Sequence, residues 1–235
     1  MSQLERRPIA GTPAAQERLG LAYRALEPPE GIVPPPVALL LHGLGGDERV
    51  MWVFASQLPR HWLLVAPRAP LPAEPAGWTW LPRRPDEWPD LARFDAPVDS
   101  LVRFLDGLPA FHPADLQRLV LIGFSQGAAT AFALALRLAQ RPDSPVRTRG
   151  VASLVGFMPR GAAEAFPGQA PLAGLPTFMA VGQRDPLVPV AQGRSAAETA
   201  RSLGADLRYQ EYEAGHKIPS QGMRDLAAWC KGLGF

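Results

Sequence analysis

Gly123-Phe124-Ser125-Gln126-Gly127 constrains what this chain can fold into more than any other segment. The apolar run Leu119-Val120-Leu121-Ile122 leads into it, and an Ala-rich stretch from Ala128 to Ala139 leads out. The pattern predicts a buried strand, a sharp turn and a helix. A serine on such a turn is held in strained dihedrals, with its hydroxyl pointing out of the fold. Glycines two residues before and after it leave room where backbone crowds backbone. The helix behind the serine directs the positive end of its dipole to the place where negative charge would develop. Gly-x-Ser-x-Gly alone is weak evidence. The strand and helix flanks make Ser125 a candidate nucleophile.

The bulk numbers suit a globular enzyme-sized fold. The chain has 235 residues, of which 47% are hydrophobic and 20% charged, enough apolar material for a sizeable core. Its 27 prolines are scattered between periodic segments and punctuate loops. The 24 Lys and Arg face 22 Asp and Glu and are dispersed, which argues against nucleic acid as a partner. Cys230 is the single cysteine, so no internal disulfide forms, and it reads as a small buried hydrophobe near the last helix. Charged residues or prolines interrupt every apolar run, and the first residues lack the apolar core of a signal peptide. The expectation is a soluble cytoplasmic protein without stable membrane insertion.

Along the chain, residues 1–18 read as a flexible arm and 19–235 as one domain. Residues 19–26 suit an edge strand, and 27–36 a Pro-rich connector. Buried strands are expected at 37–42, 62–66, 119–122, 150–155 and 176–181, with a weaker one near the edge at 207–213. Helices are expected at 47–58, 96–107, 128–139, 190–203 and 220–231. Asp47 would cap the first of these. The segment 67–89 reads as an irregular surface loop. Alternating strands and helices predict an α/β fold, with a mostly parallel central sheet covered by helices on both faces. Right-handed crossovers then bring the loops after the strands to one edge.

Three of those loops each supply one reactive side chain. Ser125 follows one strand, Asp185 follows Phe178-Met179-Ala180-Val181, and His216 follows Tyr209-Gln210-Glu211-Tyr212. A serine hydroxyl needs a base within hydrogen-bond reach, and imidazole suits that role near neutral pH. Asp185 would fix the imidazole tautomer and stabilise the imidazolium. The oxyanion of an acyl transfer would be met by two backbone N–H groups, those of Gln126 and of Leu44, with Gly45 the adjacent choice. His42 reads as structural, holding the Gly43–Gly46 loop by hydrogen bonds. His61 and His112 lie in surface-like segments.

These residues make the chain resemble the phospholipase/carboxylesterase family of α/β-hydrolases, which includes acyl-protein thioesterases and small bacterial carboxylesterases. The matching motifs are Leu41-His42-Gly43-Leu44-Gly45, Ala66-Pro67-Arg68-Ala69-Pro70, the Ser125 pentapeptide, Asp185-Pro186-Leu187-Val188-Pro189 and Gly215-His216. The resemblance implies an α/β-hydrolase fold and a serine carboxylesterase or thioesterase with a Ser125-Asp185-His216 triad. It also implies oxyanion donors at Leu44 and Gln126, and no metal or organic cofactor. The family often has a further Gly after the pentapeptide, where this chain has Ala128.

Only about twenty residues separate Val155 from Pro176, too few for a large cap domain, so an open cleft is expected. Trp78, Trp80, Phe157 and Met158 are its expected apolar, substrate-binding walls. No Asp or Arg stands out in the sequence for binding a charged substrate. The expected partner is a small-molecule acyl ester, and a homodimer is compatible with the chain. Two alternatives stand beside the ester reading. One is hydrolysis of another acyl bond, as in a lactone, an amide or an acylated protein. The other is a non-catalytic binding protein on the same fold, which predicts a missing triad member or oxyanion glycine, and none is missing.

Overall fold

The computed structural model describes residues 7–29, 33–82 and 87–235. The strands are β1 (Ile9–Ala10), β2 (Tyr23–Leu26), β3 (Pro36–Leu41), β4 (Leu63–Pro67), β5 (Leu71–Pro72), β6 (Trp78–Thr79), β7 (Asp115–Phe124), β8 (Thr148–Leu154), β9 (Pro176–Gly182) and β10 (Asp206–Tyr212). The α-helices are α1 (Pro13–Leu19), α2 (Asp95–Gly107), α3 (Gln126–Ala139), α4 (Val190–Ser202) and α5 (Ser220–Gly232). Eight strands form one sheet in the order β1-β2-β4-β3-β7-β8-β9-β10. From β4 to β10 in that order every neighbour is parallel, while β1 and β2 are antiparallel additions.

Strands β3 and β4 are apolar at every position, and the buried parts of β7, β8 and β9 nearly so, because both faces are covered. Val37, Leu39, Leu41, Leu119, Leu121, Val151 and Met179 turn to one face, where α1, α2, α3 and α4 pack. Ala38, Leu40, Val120, Ile122, Ala152, Leu154, Phe178 and Ala180 turn to the other, against α5 and the Val50–Gln57 turn. Successive side chains of a strand point to opposite faces, so each run divides evenly between the two cores. Chain order reverses between β3 and β7, which sit side by side although β4, on the far side of β3, comes between them in sequence. The loops after β3 and β7 diverge there, and a crevice at such a switch point is where open α/β sheets place their sites.

Several expectations need correction. The described part of the supposed arm carries β1 and α1, with Ala15 and Leu19 in the core. Thr12 caps Ala15 N–H, Pro13 opens the helix and Gly20 closes it at φ 76°. β2 is therefore not the edge, because β1 pairs outside it. The helix expected at 47–58 is a 3-10 helix over Val50–Gln57, rich in β-branched and aromatic residues of modest helix propensity. Asp47 caps only the turn before it, accepting from Arg49 N–H at 2.8 Å. Segment 67–89 contains the β5–β6 ribbon. Its residues 83–86, with 1–6 of the arm and 30–32 of the connector, lie outside the described residues. His112 is buried, between the Tyr23 hydroxyl at 2.9 Å and Glu27 Oε1 at 2.8 Å.

Phe132 on α3 is fully buried in the larger core. Phe132→Ala should lower unfolding free energy by about 3–5 kcal/mol. Urea unfolding would show it as a lower midpoint with an unchanged m-value.

Candidate active site

Ser125 sits between the end of β7 and the start of α3, at φ 54° and ψ −119°. A non-glycine residue in this region is strained by about 1–3 kcal/mol, and surrounding structure must hold it there. Ser125 N–H donates to Leu154 O at 2.9 Å, tying the turn to β8. The flanking glycines are obligatory on steric grounds. A Cβ on Gly123 would lie 2.2 Å from Gly127 O, and one on Gly127 would lie 2.1 Å from Leu41 O and 2.5 Å from His42 O. All of these contacts are with backbone, which cannot step aside. The α3 N-terminus is therefore pressed against the end of β3, and Ser125 against the loop that follows it.

Asp185 and His216 come from the ends of the adjacent parallel strands β9 and β10, whose register pairs Gly182 with Tyr212. The Asp185 side chain is 1% exposed and accepts three hydrogen bonds. Oδ1 takes Leu187 N–H at 2.8 Å and Val188 N–H at 2.9 Å. Oδ2 lies 2.7 Å from His216 Nδ1. An acceptor at that distance places the imidazole proton on Nδ1 and leaves the Nε2 lone pair free. The imidazole packs edge-on against Phe124, the residue before the serine, with ring centroids 5.2 Å apart. His216 thus stands at the elbow with its basic nitrogen available.

The loop after β3 is fixed by a buried histidine, His42. His42 Nε2 accepts Ala69 N–H at 3.0 Å, so the ring proton is on Nδ1, which donates to Gly43 O at 2.7 Å. Burial pushes the His42 pKa below its ordinary 6.5, keeping the ring neutral. Gly45, at φ 78°, donates its N–H to Trp78 O at 2.9 Å, and Trp78 N–H donates to Gly46 O at 2.9 Å. Gly45 therefore has no N–H to offer an oxyanion. Leu44 N–H has no acceptor among the described residues. Gln126 N–H, in the first turn of α3, has none within the helix. Gly43 carries this loop against the serine, since a Cβ there would lie 3.1 Å from Ser125 Cβ.

The expected walls are not alike. Trp78 is half-buried, and its ring lies under the Arg68 guanidinium, 4.0 Å from the charge. Trp80 is fully buried and donates its indole N–H to His42 O at 2.8 Å, so it braces the loop and is no free cleft wall. Phe157 and Met158 are also buried, Phe157 edge-on beneath Trp88 with centroids 4.8 Å apart. Their burial replaces the expected open surface with a packed floor. The Gln126 side chain adds a contact invisible in the sequence. Its Oε1 accepts Trp80 N–H at 2.9 Å and lies 2.9 Å from the Thr79 hydroxyl, tying the β6 segment to the elbow. Val155, just after β8, has φ 44°, a true outlier for a β-branched residue, and no sequence signal marks it. Among the described residues, no cluster of three or more His, Cys, Asp or Glu is placed to hold a metal ion.

Gly127→Ala should lower both stability and whatever activity Ser125 carries, because a backbone carbonyl must move. Thermal unfolding and turnover measured on one preparation would report the two losses together. His42 predicts a pH dependence. Between its depressed pKa and 6.5 the folded chain binds fewer protons than the unfolded chain, so stability falls as pH drops below about 6.5. The slope from this one group is at most about 1.4 kcal/mol per pH unit. Chemical denaturation from pH 8 to pH 5 should show that component in the parent protein and lack it in His42→Gln.

Comparison with known proteins identifies the family. The profile of the phospholipase/carboxylesterase family matches residues 33–232. NocK of Nocardia uniformis subsp. tsuyamanensis, named as an esterase, is 33% identical over 218 residues covering 86% of this chain. The match spans only 58% of NocK's own length. Acyl-protein thioesterase 1 of Mycosarcoma maydis is 26% identical over 240 residues, covering 88% of this chain and 94% of that protein. The carboxylesterase structure from Bacillus cereus superimposes with a TM-score of 0.78 at 21% identity, over 94% of this chain and 98% of that one, and shares the fold. Among the described residues no helix is long and apolar enough to cross a membrane. With its strand order, its strained Ser125 elbow and a profile match over most of its length, the chain belongs to the phospholipase/carboxylesterase family and has the α/β-hydrolase fold.

Proposed function

We propose that this protein is a serine hydrolase that cleaves carboxylic ester or thioester bonds through an acyl-enzyme on Ser125. The observation that carries the reading is the 2.7 Å bond between His216 Nδ1 and Asp185 Oδ2, made where Phe124 holds the imidazole against the elbow. His216 Nε2 takes the Ser125 proton as Oγ attacks the acyl carbonyl carbon. The carbonyl oxygen becomes an oxyanion and receives the N–H groups of Leu44 and Gln126. Each such donor is worth about 3 kcal/mol of transition-state stabilisation. Asp185 stays put, holding the imidazolium by the bond it already makes. The imidazolium then gives its proton to the leaving alcohol or thiol. Water, deprotonated by the same Nε2, attacks the acyl-enzyme and releases a carboxylic acid, restoring Ser125.

The apolar rim suits an acyl chain. Leu44 is 43% exposed on the oxyanion loop and Leu187 is 65% exposed on the Asp185 loop, large hydrophobic side chains left bare on two of the site's loops. Hydrolysis of p-nitrophenyl acetate, butyrate and octanoate, with fluorophosphonate labelling, tests the assignment. The parent protein should turn over and label, and Ser125→Ala should do neither, with kcat reduced by about 10⁴-fold or more. Equal rates for both proteins, with no label on the parent, would sink the esterase reading and leave a binding role.

A further inference from the structure

We propose that Arg68 is a specificity-determining residue that recognises a carboxylate on the acyl part of the substrate, so that half-esters of dicarboxylic acids are preferred over neutral esters of the same length. The proposal rests on the serine hydrolase reading above and names a substrate class for the same site.

Arg68 is the first residue past the end of β4, on the edge of the sheet that carries Ser125. Its backbone is fixed by its N–H bond to Ala22 O at 2.7 Å. Its guanidinium lies over the Trp78 ring at 4.0 Å. Trp78 is in turn bonded through its own backbone to Gly45 and Gly46, the residues following the proposed oxyanion donor Leu44. The cation therefore stands on a platform that belongs to the oxyanion loop. The ring holds the cation by cation–π attraction and covers it on one side. The side chain is 33% exposed, so solvent reaches it.

The guanidinium is also underused. None of its nitrogens donates a hydrogen bond to a described residue. The nearest carboxylate oxygen, Glu48 Oε2, is 3.9 Å from Nε, beyond hydrogen-bond distance. That carboxylate is shared, since Arg49 Nε lies 3.7 Å from its other oxygen. Asp47 and Glu48 offset Arg49 and Arg68 in overall charge, yet no carboxylate of a described residue comes within hydrogen-bond distance of the Arg68 guanidinium. A stacked guanidinium with free NH donors is the geometry that takes a carboxylate through two parallel hydrogen bonds. A neutral acyl chain gives it nothing to bind.

The test compares p-nitrophenyl butyrate with mono-p-nitrophenyl succinate and mono-p-nitrophenyl glutarate, in the parent protein, Arg68→Gln and Arg68→Lys. The parent should favour at least one anionic ester over butyrate in kcat/KM, mainly through KM, and added salt should erode the preference. Arg68→Gln should lower the anionic-to-neutral ratio about tenfold or more, and Arg68→Lys should restore part of it. A ratio unchanged by both substitutions, or a parent with no preference for either anionic ester, would overturn the assignment. Damage to the oxyanion loop alone would slow all three esters together and leave the ratio intact, which also counts against it. Butyrate turnover that Ser125→Ala abolishes keeps the hydrolase reading separate. If that turnover is present and the ratio is flat, only the Arg68 proposal fails. A p-nitrophenyl butyrate reaction run with inorganic phosphate as competitor shows whether the fork prefers phosphate oxygens, and stronger competition from phosphate than from succinate would reject the carboxylate assignment.

Discussion

The contact between the backbone of Gly127 and the carbonyls of Leu41 and His42 is the constraint on which the rest of this structure depends. It forces the first turn of α3 against the end of β3, and so places the Ser125 elbow beside the loop after β3. The strain at φ 54° is then held from three sides. β3 abuts α3, Leu154 O receives the Ser125 N–H, and Gly123 leaves room for the returning Gly127 carbonyl. No single hydrogen bond could hold a non-glycine residue in that region. Packing of backbone on backbone can, because neither partner has a rotamer through which to relax.

The same economy governs the Asp185–His216 pair. Two loops on neighbouring strands meet because β9 and β10 are in parallel register to their last residues. The buried carboxylate accepts at both oxygens: one takes two backbone N–H groups of its own loop, and the other takes the imidazole. The backbone bonds orient Asp185 independently of His216, so the imidazole meets a fixed acceptor and its tautomer follows. A carboxylate free to rotate would set neither the ring plane nor the position of the proton.

Much of this was legible in the sequence, for identifiable reasons. The buried strands announce themselves by unbroken apolar runs, since a parallel sheet covered on both faces has no polar side to alternate. Ser125 and Asp185 follow mostly apolar runs, His216 follows the weaker edge strand, and chain order lines the three up. Position 44 was separable from 45 only once the partner of Gly45 N–H was known, because that partner, Trp78 O, is thirty-odd residues away. The sequence suggests Trp80, Phe157 and Met158 as cleft walls because an aromatic or sulfur-bearing side chain in a loop looks the same whether it lines a cleft or supports one. The indole bond of Trp80 to His42 O and the cover of Trp88 over Phe157 decide between the two. The helix α1 was missed although Thr12, Pro13 and Gly20 spell its cap, opening and close. Its seven residues are too few for periodicity to rise above the loop around it. Arg68 is visible in the sequence only as part of the Ala66–Pro70 motif, since its contact with Trp78 exists only after the β5–β6 ribbon folds back.

The proposed oxyanion loop has a buried histidine and a buried tryptophan behind it for a physical reason. An N–H group that is to stabilise developing charge must be unpaired in the resting fold, which leaves its loop short of internal hydrogen bonds. Here the shortage is offset from outside the loop. His42 takes Ala69 N–H and gives to Gly43 O, Trp80 gives to His42 O, and Trp78 bonds both glycines that follow Leu44. Gln126 then ties that Trp segment to the elbow through Trp80 N–H. The two proposed donors thus belong to one hydrogen-bonded unit, so their spacing is set before substrate enters. Preorganisation of this kind is what makes such dipoles effective, because no reorientation is needed as the charge appears. A neutral His42 is essential to it: a proton on Nε2 would turn the acceptor of Ala69 N–H into a second donor and open the unit from behind.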